Sequence, residues 1–169
     1  SREYYINDAG NQINNLAASV NARYLEQLGQ SVEFPENGYH GHDIIETAER
    51  IVRIYGDKFL NMSEEERLQE FRTIALKEKL AALKEDLEAF NVTYDEWFSE
   101  QTLHDAKAIH SACDLLTERG YLYEQDGALW LKATEYGDDK DRVVIRDNGV
   151  PTYFAADIAY HQDKYARGF

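Results

Sequence analysis

Tyr153, Asp157 and His161 stand at i, i+4 and i+8, a spacing that sets a phenol, a carboxylate and an imidazole along one helix face. Such a face suits a cation. The same spacing also fits a half-exposed helix on which the tyrosine packs while the aspartate and histidine are solvated. A second polar concentration, Asn7-Asp8-Ala9-Gly10-Asn11-Gln12, follows a short β-prone run and precedes an amphipathic one. It therefore falls where a strand end meets a helix start and backbone donors converge, a common place for ligands in open α/β sheets. Turn and capping chemistry draws on the same residue types, so both readings stay open. Cys113 is the single cysteine and lies beside Ala112 and Leu115 in a helical stripe, which reads as a core thiol rather than a nucleophile. No Cys-x-x-Cys pair or Cys/His cluster exists to hold zinc, so no metal site is expected.

These residues need elements to position them. Glu3-Tyr4-Tyr5-Ile6 predicts a strand. Ile13, Leu16, Ala17, Val20, Tyr24 and Leu28 recur at three- and four-residue spacing and predict a helix stopped by Gly29. A loop from Ser31 to Gly41 carries Pro35, and Asp43 is then placed to cap a helix with the stripe Ile44, Ile45, Ala48, Ile51, Val52, Tyr55 and Phe59. Ser63 and Glu66 form a capping-box pattern that opens a long amphipathic segment through Leu76, Leu80, Leu83, Leu87 and Phe90. On its outer side, Glu64, Glu65 and Glu66 with Lys77, Lys79 and Lys84 read as a solvated face. Asn91 to Glu100 reads as extended, and a further helix is expected from about Leu103 to Arg119, ended by Gly120. Beyond it, Tyr121–Tyr123, Ala128–Leu131 and Val143–Ile145, separated by turn residues, predict a small antiparallel sheet with Trp130 in its core. Tyr153 to Lys164 returns to helix. No internal repeat or linker interrupts this order, which makes the chain an α/β unit with a helical insertion.

Composition bounds the function. The 169 residues are 43% hydrophobic and 12% aromatic, enough to bury a core, and 30% charged, so general disorder is excluded. Eighteen Lys and Arg against 32 Asp and Glu give a net charge of −14, which repels polyanions and argues against this segment being a main grip on nucleic acid. No apolar run approaches the roughly 18 residues of a spanning helix, so neither a membrane span nor a membrane partner is expected, and a reducing, cytoplasmic setting fits the lone cysteine. The chain opens on Ser1 and stops at Arg167-Gly168-Phe169, which raises the expectation of a piece of something longer.

Three runs then become recognisable: Arg2 to Gln12, Leu129 to Val143 with its Gly137-Asp138-Asp139-Lys140-Asp141-Arg142 segment, and Thr152 to His161. Together and in this order they closely resemble arginyl-tRNA synthetases of bacterial type. The resemblance is strong at both ends and weak from Pro35 to Phe90. It implies a partial class I synthetase nucleotide-binding fold in which residues 1–34 form a strand and helix of the nucleotide fold, 35–119 a helical insertion, 120–150 the small antiparallel sheet and 151–169 the helix carrying the substrate site. It implies an aminoacyl-tRNA ligase of protein biosynthesis, with L-arginine, ATP and tRNA(Arg) as substrates, Mg²⁺ arriving on ATP, and most tRNA contacts made outside this segment. The family meets the arginine side chain with a Tyr and an Asp four residues apart, matching Tyr153 and Asp157. Asp8 and Gln12 match its Asp-x-Gly-x-Gln pattern near the floor of the site. Tyr39-His40-Gly41-His42 mimics the family's HIGH signature, but Tyr39 occupies the first His position and a Pro-Asn-Gly loop precedes it, so a surface loop is expected. With neither HIGH nor the KMSKS-type loop among the 169 residues, no catalytic residue is assigned here, and the chain alone is expected to be inactive. The competing reading is an acidic helical interaction module without catalysis.

Overall fold

The computed structural model describes residues 1–169, which divide into two units. One comprises Ser1–Tyr4 and Asp8–Glu96, the other Tyr5–Asn7 and Trp97–Phe169. Strand β1 (Glu3–Ile6) pairs with β2 (Glu96–Ser99), and the division passes through both strands.

The first unit is helical. Asn11–Gln27 forms α1, His42–Tyr55 α2 and Glu64–Ala89 α3, with a 3-10 turn at Lys58–Asn61. Helix α1 packs on both α2 and α3. The buried set is Val20, Tyr24, Ile44, Ala48, Ile51, Phe59, Phe71 and Ala75, the expected apolar stripes of α1 and α2 joined by aromatic rings. Tyr24 meets Phe71 edge-on at 4.9 Å and Phe59 at 6.0 Å, the offset geometry that ring quadrupoles favour. Its hydroxyl donates to the Gly56 carbonyl at 2.9 Å and accepts from the Phe59 amide at 3.3 Å, so the buried phenol leaves no polar atom unpaired. Gly29, at φ +76°, ends α1, the amide of Gln30 bonding back to the Leu25 carbonyl at 3.0 Å. The capping box at Ser63 and Glu66 is formed as the pattern predicts.

Three expectations in this unit need correction. Asp43 does not cap α2: Gly41 is the N-cap, and Asp43 sits in the first turn, where its charge suits the helix dipole and pairs with Lys79 at 2.6 Å. Phe59 lies beyond α2, which ends before Gly56. The leucine stripe of α3 is only half-buried, and Phe90 is 82% exposed. At 26 residues α3 is about 39 Å long, against about 26 Å for α1 and 21 Å for α2. Its second half outruns the helices it packs on.

The second unit mixes helix and sheet. Gln101–Asp105 forms α4, Ala108–Glu118 α5 and Tyr153–Ala166 α6, while β3 (Leu122–Gln125), β4 (Ala128–Leu131) and β5 (Arg142–Ile145) form an antiparallel sheet in that order. Asp126 and Gly127, both at positive φ, make the two-residue turn between β3 and β4. The buried cluster is Phe98, Leu103, Ile109, Ala112, Cys113, Leu122, Val144, Ala155, Ala156 and Ala159. The single helix expected from Leu103 to Arg119 is broken at Lys107, which adopts φ +53°. A continuous helix would aim Leu103 and Ile109, six residues apart, about 120° away from one another; the break lets both enter one core, 2% and 1% exposed. Trp130 is also corrected. It pairs with Tyr123 in the register, on the alternate side of β4 from Leu129 and Leu131, which pack on the core. It is half-buried, its indole N–H donating to the Gln125 carbonyl at 3.2 Å.

Candidate substrate pocket

Helix α6 buries only alanines, Ala155, Ala156 and Ala159. Small side chains seat that face closely on α5, and by helical geometry the opposite face carries Tyr153, Asp157 and His161, all exposed. Thr152 precedes the helix, and its hydroxyl donates to the Val143 carbonyl at 2.9 Å, tying the start of α6 to the sheet. The sheet thus sets where Tyr153 begins the helix.

Tyr153, 63% exposed, lines an open cleft of about 380 Å³ with Asp138, Arg142, Val143, Thr152 and Phe154. Arg142 forks onto Asp138, Nε and Nη2 each donating at 2.7 Å. That guanidinium holds the Asp138 carboxyl well below the usual carboxylate range. The protein's own arginine shows what a carboxylate can do here for a planar fork of donors.

Asp157 is grouped with residues the sequence reading passed over. Glu100, directly after β2, is only 6% exposed, and its backbone amide donates to the Ile6 carbonyl at 3.0 Å, setting it beside β1. Its Oε1 lies 3.4 Å from His104 Nε2. Tyr5, on β1, stacks on Phe98 at 6.0 Å and meets Tyr160 edge-on at 4.7 Å. The Tyr5 hydroxyl is buried without a hydrogen-bond partner. Burial first, then the Glu100 carboxylate, with smaller contributions from Asp157 and Tyr160, push its pKa up. Glu100 acts on this hydroxyl through its charge and as a hydrogen-bond acceptor at the limit of bonding geometry. Two carboxylates and a phenol gather in one place. Nothing local marks Glu100 in the sequence: β2 begins on Glu96 and ends on Ser99, and reading Asn91 to Glu100 as one extended element gives Glu100 no role.

Asp8 and Gln12 belong to the helical unit. Asp8 is 7% exposed, and its carbonyl accepts from Arg72 Nη2 at 3.0 Å. Gln12 is exposed and lines a cavity of about 320 Å³ with Tyr39, His40, Gly41, Asp43 and Lys79 over an apolar floor of Ile13, Leu16 and Ile44. The segment Tyr39 to Gly41 is a loop, as expected, with His40 stacked on Phe34 at 4.6 Å. Cys113 is a core thiol, 1% exposed, its pKa raised by burial and by neighbouring Asp114.

No protein-family model matches the chain. Over all 169 residues it is 60% identical to an arginine–tRNA ligase of Carboxydothermus hydrogenoformans and 56% identical to one of Moorella thermoacetica, covering 30% of the length of each. The chain is homologous throughout to a segment of arginine–tRNA ligases. A solved structure assigned as an arginyl-tRNA synthetase of Campylobacter jejuni superposes with a TM-score of 0.84 at 39% identity, over 99% of this chain and 36% of that one. The arginyl-tRNA synthetase of Plasmodium falciparum shares the fold, with a TM-score of 0.59 at 15% identity over 94% of this chain and 26% of its own. The expected likeness to arginyl-tRNA synthetases and the mixed α/β class with a small antiparallel sheet therefore both hold, and the acidic interaction module is the less favoured reading. No helix is long and apolar enough to cross a membrane.

Proposed function

We propose that the chain carries the side-chain pocket for arginine in an arginine–tRNA ligase. Such an enzyme joins L-arginine to ATP as arginyl-adenylate and passes the arginyl group to the terminal ribose of tRNA(Arg). Identity of 60% across the whole chain supports the assignment to the ligase. The observation that carries the pocket is the convergence of Asp157 and Glu100 on Tyr5 in a unit otherwise closed by apolar packing. A guanidinium stays charged and presents five N–H donors in a plane, so one carboxylate can accept a pair of them and a second can balance the remaining edge. An ammonium fits neither arrangement well. Tyr153, one turn before Asp157, supplies a ring face against which the guanidinium packs. Asp8 and Gln12, in the helical unit, are assigned to substrate binding on the strength of the Asp-x-Gly-x-Gln pattern they match.

The chain gathers no set of three His, Cys, Asp or Glu side chains fit to hold a metal, so Mg²⁺ is assigned to the phosphates of ATP rather than to this segment. ATP contacts, and most of those to tRNA(Arg), are assigned to the ligase outside these residues, and its setting to the cytoplasm, where translation consumes its product.

The test is Asp157→Asn in the full-length ligase. The substitution keeps volume and removes charge, leaving a bound guanidinium partly unpaired, which costs about 2–3 kcal/mol. The kcat/KM for arginine should fall roughly a hundredfold at about 1.4 kcal/mol per tenfold, while the ATP constant moves little. Tyr153→Phe should cost less than Tyr153→Ala. Unaltered arginine kinetics in Asp157→Asn would remove the pocket assignment and leave the family relation standing.

A further inference from the structure

Helix α3 carries two apolar faces, and the first unit uses one of them. Phe71 and Ala75 are buried in its aromatic cluster, with Ile74 packed against it. Leu76, Leu80, Leu83, Leu87 and Phe90 alternate at four- and three-residue spacing. At about 100° per residue they draw a stripe roughly a third of a turn round the helix from Phe71 and Ala75. None of them belongs to a buried cluster or to the apolar side chains packed on one. The four leucines are half-buried, Phe90 is 82% exposed, and Val92, 38% exposed, extends the face beyond the helix. Single apolar side chains on a surface need no explanation, whereas an aligned run marks a face that something covers.

The far end of the stripe is held in place. Asn91 turns at φ +58°, and the Val92 amide donates to the Leu87 carbonyl at 2.8 Å, a helix ending that sets those two side chains together. The next residues grip Arg2. Its Nη2 donates to Thr93 Oγ1 at 3.1 Å and its amide to the Asp95 carboxylate at 2.7 Å, while its carbonyl accepts from the amides of Asp95 and Glu96 at 2.9 and 3.2 Å. Thr93 is three residues past Phe90, so their Cα atoms lie within about 11 Å. Polypeptide entering at Ser1 therefore arrives beside Phe90. The chain spans about 30% of the length of its curated relatives, which leaves ample ligase to cover the stripe. We propose that the α3 stripe is a docking face for the ligase segment leading into Ser1, which lays apolar side chains on Leu83, Leu87, Phe90 and Val92. The inference rests on the relation to the ligases and is independent of the arginine pocket. A segment tethered through Arg2 meets the face at an effective concentration on the order of millimolar, an advantage that a second copy lacks. Glu85, Asp86 and Glu88 are exposed on the same turns and repel a polyanion such as tRNA.

The test uses the full-length ligase. Phe90→Cys and, off the stripe, Glu88→Cys are labelled with a maleimide, and the modified peptides are followed by mass spectrometry. Docking should slow labelling of Phe90→Cys at least about tenfold relative to Glu88→Cys. Equal rates overturn the inference. A photo-reactive phenylalanine analogue in place of Phe90 keeps the ring and identifies the occupant. Irradiation should join it, within one chain, to a peptide preceding Ser1. Attachment to a peptide following Phe169, to a second copy with doubled mass, or to added tRNA overturns the inference even if the stripe is covered. The kinetics of Asp157→Asn decide the arginine pocket separately, and normal kinetics there leave the docking face standing.

Discussion

Asp157 and Glu100 carry the same charge in different settings, one exposed on α6 and the other 6% exposed behind β2. An exposed carboxylate costs the fold nothing and awaits a ligand in water; a buried one needs compensation from the protein or from what binds. Spacing made Asp157 visible, because four residues is a helical turn. Nothing local marks Glu100, whose neighbours Ser99 and Gln101 are as polar as it is. Trp130 shows the converse, a large aromatic whose type says core while the register turns it to the other face of the sheet. Trp130→Ala should therefore cost only about 1 kcal/mol, whereas Leu122→Ala, which removes a side chain 5% exposed in the cluster, should cost about 2–5 kcal/mol. Urea denaturation of the two variants checks the order, and a larger midpoint shift for Trp130→Ala would contradict the register described.

Elements are joined by a few polar fastenings as well as by apolar packing. Arg50 on α2 grips Glu78 on α3 with Nε at 3.0 Å and Nη2 at 2.7 Å, and the Thr47 hydroxyl donates to the same carboxylate at 2.6 Å. Burial works against ionisation of Glu78, but Arg50, Thr47 and Lys79 together outweigh it and hold its pKa below the ordinary glutamate value. The sign follows directly. A depressed folded pKa stabilises the fold fully above the unfolded value, about 4.3, and that contribution is lost as the pH falls through the lower folded value. The α2–α3 pairing should weaken on acidification below about pH 4. Glu78→Gln should flatten that part of the acid limb while lowering stability near neutrality, as hydrogen exchange of α2 amides would report. An acid limb of equal steepness in Glu78→Gln would show that other groups carry it.

Across the whole molecule, the net charge of −14 repels polyanions at long range, and the chain spans about 30% of the length of its curated relatives. Transition-state stabilisation in acyl transfer to and from phosphate needs preorganised donors at the reacting atoms, and neither family signature that supplies them occurs among these residues. Purified chain given arginine, ATP and tRNA should form no arginyl-tRNA above a no-protein control. Clear product would mean that the reacting atoms are served from within the 169 residues.

The amino-acid order by itself determined the periodic features. The stripes of α1 and α2, the Ser63 capping box, the Asp126-Gly127 turn, the antiparallel strands around it and the face shared by Tyr153 and Asp157 each depend on residues within one or two turns of chain. The family likeness was legible for the same reason, since three runs of contiguous residues carry it. Tertiary structure alone decided what depends on partners distant in sequence. It settled that α3 outruns its packing, that Lys107 breaks a helix so that Leu103 and Ile109 enter one core, that Trp130 faces away from it, and that Glu100 and Tyr5, 95 positions apart, meet beside Asp157. Local pattern encodes backbone conformation because hydrogen bonds and side-chain periodicity act over a few residues, whereas burial and the company a charge keeps are set by the packing of elements whose order along the chain says little about their neighbours in space.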